Sequence, residues 1–144
     1  MSNQLEIDEK THKTIQELCA LGDKFANSRE FESAIAEYNK AWDLIPDPKN
    51  EWNAATWVLA AIADSAYLAG YKTSAREALE YAMTCPRAIG NPFLHMRYGQ
   101  VLFDAGELDA AAEELMRAYM GAGKDIFSAE DSKYLVFLGS RAKL

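Results

Sequence analysis

Apolar positions along this chain recur every three to four residues, as in Leu18, Leu21 and Phe25 and again in Ile35, Tyr38, Ala41 and Ile45. That interval marks one face of an α-helix, whereas a half-buried strand alternates with a period of two. Alternating runs of β-branched residues are absent, so the pattern predicts an all-α chain. Polar or glycine-bearing breaks interrupt it at Asn27-Ser28-Arg29, Ala69-Gly70 and Asp104-Ala105-Gly106. Each break divides a helical stretch into two helices, A and B, joined by a tight turn.

A second pattern lies on top of the first. Gly22, Ala34 and Ala41 are separated by 12 and 7 residues, and the same gaps separate Ala63, Ala75 and Ala82 and then Gly99, Ala111 and Ala118. An internal repeat of this kind takes precedence over any single motif. The first small residue of each set falls on helix A and the other two on helix B. Residues seven apart share one helix face. Small side chains there let paired helices approach closely, while the larger apolar residues between them fill the remaining space.

This spacing resembles the tetratricopeptide repeat (TPR). The first copy carries Leu21-Gly22, Phe25, Phe31, Ala34, Tyr38, Ala41 and a closing Pro46; the third carries Gly99, Gly106, Leu108, Ala111, Leu115 and Ala118 without the proline. The second is degenerate, with Ala63 for the glycine and Lys72 where an aromatic residue is usual, although Gly70, Ala75, Leu79 and Ala82 fit. The resemblance covers residues 15 to about 123. It implies one TPR-like domain over residues 1–144, an α-solenoid of three helix pairs (about 15–48, 49–89 and 90–123) closed by a capping helix over about 128–142.

The offsets refine the boundaries. Gly22 and Ala63 are 41 residues apart and Ala63 and Gly99 are 36 apart, against a standard repeat of about 34. The first excess coincides with Asp47-Pro48, a capping residue before a proline suited to the first helical position. It predicts a second helix A that starts near Pro48 and is about two turns longer than usual. Asn91-Pro92 opens the third helix A by the same logic. Pro86 ends the helix before it, and Gly121 and Gly123 end the last helix B. Ser128-Ala129-Glu130-Asp131 starts the capping helix, through Tyr134, Val136, Phe137 and Leu138. Residues 1–7 are expected to fray.

Composition narrows the function classes. A chain of 144 residues can bury a sizeable core without metal or disulfide staples. Cys19 and Cys85 do not make a disulfide framework and suit free thiols in a reducing compartment. The N-terminus has no basic region followed by an apolar core. The uncharged stretch 52–63 is 12 residues long, short of the roughly 20 that span a bilayer. A cytoplasmic protein without membrane or nucleic-acid partners follows, because a net charge of −7 repels phosphate backbones. The same charge attracts a basic partner or simply keeps the chain soluble.

Catalytic and cofactor chemistry finds little support. GAGK at 121–124 lacks the preceding strand, the earlier glycine and the Ser/Thr of a phosphate-binding loop. Cys19 and His95 have no readable third group to orient them. Two histidines and two separated cysteines make no metal spacing. No enzyme, cofactor or metal is expected.

The TPR resemblance instead implies a groove lined by the A helices. Its usual positions fall on Gln16, Cys19, Asp23 and Asn27, on Trp57, Asp64 and Tyr67, and on Phe93, Met96, Arg97, Gln100, Phe103 and Asp104. Aromatics and methionine among carboxylates suit a protein or peptide ligand. The alternative is that Trp57, Phe93 or Phe103 packs against the long second helix A or the terminal segments. The clamp that some TPR domains use for chaperone C-terminal carboxylates is not matched: only Arg97 fits it, and Asp23 would repel a carboxylate.

The segment AIGNPFLHMRYGQVLFDAGELDAAAEELMRAYMGAGKDIF, followed by EDSKY, is similar to small bacterial single-domain TPR proteins often encoded beside toxins. That resemblance implies an immunity-type protein that occludes a cognate toxin with a basic surface. The alternative is an adaptor or secretion chaperone that holds an extended peptide segment.

Overall fold

The computed structural model describes residues 7–144. Among them every regular element is helical: α1 (Glu9–Asn27), α2 (Phe31–Asp43), α3 (Asn53–Leu68), α4 (Lys72–Ala82), α5 (Pro92–Asp104), α6 (Leu108–Ala122) and α7 (Ser132–Arg141), with short 3₁₀ turns at Lys49–Glu51 and Lys124–Phe127. Tertiary contacts gather into two compact units, one ending at Ala88 and the other spanning Ile89–Leu144. In the first unit α1 pairs with α2 and α3 with α4, and α2 also packs on α3. In the second, α5 pairs with α6 and α7 packs on α6.

The three hairpins share one turn. Arg29, Gly70 and Gly106 each lie in the left-handed region, at φ 61°, 88° and 81°. The next residue's N–H reaches back five positions to close the helix: Glu30 to the Phe25 carbonyl (2.8 Å), Tyr71 to Ala66 (2.8 Å) and Glu107 to Leu102 (2.9 Å). This paired-bond ending satisfies the last carbonyls of helix A and fixes the exit direction of helix B. Glycine takes that conformation freely; Arg29 takes it under strain.

Close approach of the helices is visible atom by atom. A Cβ on Gly22 would lie 2.5 Å from the Tyr38 ring, and one on Gly99 would lie 2.7 Å from Leu115 Cδ2. Both partners stand 16 residues beyond their glycine. The six alanines of the repeat on helices α2, α4 and α6 are all fully buried, as is Ala63. The spacing is thus a packing pattern, and its periodicity reflects where two helix backbones touch.

Several boundaries differ from expectation. Helix α3 does not begin near Pro48 but at Asn53, and its 16 residues fall between the 19 of α1 and the 13 of α5. The extra residues form a pinned loop instead. Lys49 reaches back through Nζ to the carbonyls of Trp42 (3.0 Å), in the last turn of α2, and Ile45 (2.7 Å), just beyond it, and Trp52 donates from Nε1 to the Pro46 carbonyl at 2.9 Å. With these bonds in place Pro48 is extended and Lys49–Glu51 forms a 3₁₀ turn.

Helix α7 starts at Ser132 rather than Ser128, because Asp131 is the capping residue and accepts from Lys133 N–H at 2.9 Å. Phe127 is meanwhile drawn into the core. Gly121 does not end α6. It sits inside the helix against Pro92, whose Cγ would be 2.9 Å from an added Cβ, and Gly123 at φ 71° makes the ending. Asn91 caps α5 as expected, accepting from the N–H groups of Phe93 and Leu94. Helix α4 ends at Ala82, ahead of Pro86. Of the segment expected to fray, Ile7 is 8% exposed and residues 1–6 lie outside the described residues.

Candidate protein-binding surface

In the first unit, α1 and α3 carry five of the residues assigned to partner binding. Asp23 is exposed on α1 and accepts a hydrogen bond from the Tyr38 hydroxyl at 2.6 Å. Tyr38 is buried, so its phenol is pushed up, first by desolvation, then by the hydrogen bond and charge of Asp23, with Cys19 and Asp64 adding to the effect. Carboxylates from two different helices therefore act on one phenol. Asp64 and Tyr67 are half-buried on α3, and the Lys72 ammonium stands 4.6 Å over the Tyr67 ring. Asn27 is exposed at the last position of α1.

Trp57 is 37% exposed and meets His12 edge to face at 6.1 Å. An indole open to solvent on one side and braced on the other presents apolar area at little ordering cost, the profile of an interface anchor. Gln16 is exposed one turn from His12, in a shallow depression lined also by Glu9, Lys10 and Lys13.

In the second unit the corresponding residues are engaged within the unit itself. Met96, Arg97 and Gln100 are buried. Arg97 Nη1 donates to Gln100 Oε1 at 2.7 Å and to Glu130 Oε1 at 2.5 Å, and Gln100 Nε2 donates to the same Glu130 oxygen at 2.9 Å. The guanidinium also lies 5.3 Å from the Phe93 ring centroid. Phe103 packs edge-on against Tyr134 (5.4 Å) and Phe137 (4.9 Å). Asp104 accepts from the Tyr134 hydroxyl at 2.9 and 3.0 Å. Thus Phe103 takes the packing alternative, against the terminal segment. Glu130, Tyr134 and Phe137 complete this face; the apolar spacing of the last helix hinted at Tyr134 and Phe137, and no sequence signal pointed to Glu130 as a partner of Arg97.

The groups considered for catalysis have other roles. The Cys19 thiol is pushed up to about 11, mainly by burial and further by the charge of Asp23, so it stays protonated and poorly nucleophilic near neutral pH. Burial raises Cys85 as well. His95 is 1% exposed, with Nε2 accepting from Gly90 N–H at 2.8 Å and Nδ1 at 2.7 Å from Glu114 Oε1. The Gly90 bond assigns the proton to Nδ1 in the neutral ring, which then donates to Glu114. Both ring nitrogens are used structurally. Among the described residues no three His, Cys, Asp or Glu side chains gather as a metal site, and no helix is long and apolar enough to cross a membrane.

Helix pairs with a shared left-handed turn and glycine or alanine at each crossing define a TPR-like, all-α repeat fold. No protein-family profile matches the chain, and no curated protein sequence does. Among solved structures it is similar to the Yersinia enterocolitica type III secretion chaperone SycD in complex with a peptide of the translocator YopD. The match has a TM-score of 0.70 at 18% identity and covers 92% of this chain and 95% of that one. The likeness bears out the fold.

Proposed function

We propose that this chain is a protein-binding module of the secretion-chaperone type, which holds an extended segment of a partner against the α1–α3 surface of its first unit. The observation that carries this reading is the near end-to-end likeness to a chaperone solved with a translocator peptide. Asp23, Asn27, Trp57, Asp64 and Tyr67 are the residues assigned to contact. Trp57 and Tyr67 offer apolar area, and Asp23 and Asp64 favour a segment with a basic residue, which raises association rate and selectivity. The immunity-type alternative rests on sequence resemblance alone. Neither reading calls for turnover or a cofactor.

The test is capture from native lysate at low and moderate salt, followed by titration of overlapping synthetic peptides from whatever is captured. The titration uses wild-type chain and a Trp57→Ala variant checked by circular dichroism. Short peptides that bind, and bind about 2 kcal/mol more weakly to the variant as expected for a lost anchor, support the proposal. A single partner that binds only as a folded domain favours the immunity-type reading. Unchanged peptide affinity in a folded variant would move the site off the α1–α3 surface.

A further inference from the structure

Helices α1 and α3 run side by side in the same sense. Near their starts, His12 on α1 meets Trp57 on α3 edge to face. Further along both, Asp23 on α1 and Asp64 on α3 act on one phenol, that of Tyr38. The surface they share therefore has two ends. Asp23 stands 11 positions beyond His12, which at the rise of an α-helix places it about 16 Å from the Trp57 end.

The two ends differ in chemistry. Trp57 is exposed, and beside it Glu9, Lys10, His12 and Lys13 line a depression on α1 in which lysines outnumber the one carboxylate. At the other end Asp23 is exposed, and the buried Tyr38 hydroxyl donates to it at 2.6 Å. That bond orients the carboxylate, and because the donor is neutral the carboxylate keeps its charge. Asp64 is half-buried, one turn from the Tyr67 ring over which the Lys72 ammonium stands. Of the two carboxylates, Asp23 is the one turned to solvent.

Resting on the reading of this surface as a peptide-binding one, we propose that it selects a segment by the distance between two of its residues: a large apolar side chain at Trp57 and a lysine or arginine at Asp23. Extended chain advances about 3.3 Å per residue, so the two stand about five positions apart. Charge fixes which anchor lies where, since Lys10 and Lys13 disfavour a basic residue beside the apolar one and Asp23 favours it at the far end. A basic residue placed next to the apolar one falls about 13 Å short of Asp23, beyond the reach of its side chain.

The test is selection of displayed random peptides on the full chain at low salt, followed by fluorescence anisotropy of the most enriched peptide. The expected pattern is a large apolar residue with Lys or Arg about five positions away, in either chain direction. That peptide should bind an Asp23→Asn chain about two- to fivefold more weakly, the worth of an exposed charge pair; asparagine still accepts from Tyr38. Moving the basic residue next to the apolar one should cost as much on wild type and nothing further on Asp23→Asn, the signature of direct pairing. Enriched peptides that need Trp57 but carry no basic residue at that distance overturn the proposal and leave the peptide-binding reading standing. A basic preference that Asp23→Asn leaves unchanged does the same. Peptides that bind a folded Trp57→Ala chain as tightly as wild type, or no enrichment over bare support, overturn both.

Discussion

Substituting Gly99 by alanine sets two effects of opposite sign against each other. Alanine is the better helix former by about 1 kcal/mol, so propensity alone raises stability. The crossing with α6 opposes this. The new Cβ would lie 2.7 Å from Leu115 Cγ and Cδ2 and 3.0 Å from Leu115 backbone nitrogen. Leu115 is fully buried in a cluster with Met96, Ala118, Phe127, Tyr134 and Leu138, so its side chain has nowhere to go, and relief of the third contact means separating the helices. Overpacking of a tight core costs roughly 1–3 kcal/mol, and a contact that includes backbone belongs at the upper end. The expected net loss is about 2 kcal/mol, or a fall of roughly 6 °C in Tm for a chain of this size. Urea and thermal denaturation followed by circular dichroism measure it, with Ala63→Gly as the reciprocal variant at the equivalent position of α3. A Gly99→Ala chain as stable as wild type, or more so, would refute the claim that the repeat spacing records helix contact.

Two further outcomes follow from the same geometry. Arg29→Gly should stabilise the chain by about 0.5–1 kcal/mol, since relief of a left-handed residue is worth roughly 1–2 kcal/mol and the lost guanidinium contact with Phe31, at 5.4 Å, roughly 0.5; a lower urea midpoint than wild type would contradict this. Cys19 makes stability depend on alkaline pH. Its thiol is pushed from 9.0 to about 11 in the folded chain, so between those values the unfolded state binds fewer protons and stability falls as pH rises. The contribution is complete below pH 9 and is lost by about 11. Urea midpoints of wild type should therefore drop across that window more steeply than those of Cys19→Ala, and parallel curves would count against it.

The apolar period and the 12-and-7 spacing were enough to read seven helices, their pairing and all three turns, because those features are local. A helix face is written at intervals of three to four residues, and a crossing point demands a small residue wherever two backbones meet. The turn at Arg29 shows how firmly the repeat imposes its geometry: the left-handed position is kept even without glycine. Boundaries set by competition were less legible. Asp47-Pro48 reads locally as a helix start, but Lys49 serves the carbonyls at the end of α2, and a bond to a residue outside the helix has no signature in periodicity. Ser128 loses to Asp131 for the same reason, since Phe127 is claimed by the core.

The proposed binding residues divide along the same line. Repeat register alone placed Asp23, Asn27, Trp57, Asp64 and Tyr67 on α1 and α3, because position within a helix is a property of the chain. Which positions remain open to a partner is a property of the packed unit. Met96, Arg97 and Gln100 carry the residue types of a ligand surface, yet Glu130 and Tyr134, some thirty residues later in the chain, close over the face they share. Sequence determines which side of a helix a residue occupies; only tertiary structure decides what lies against that side, since burial is set by segments far apart in the chain.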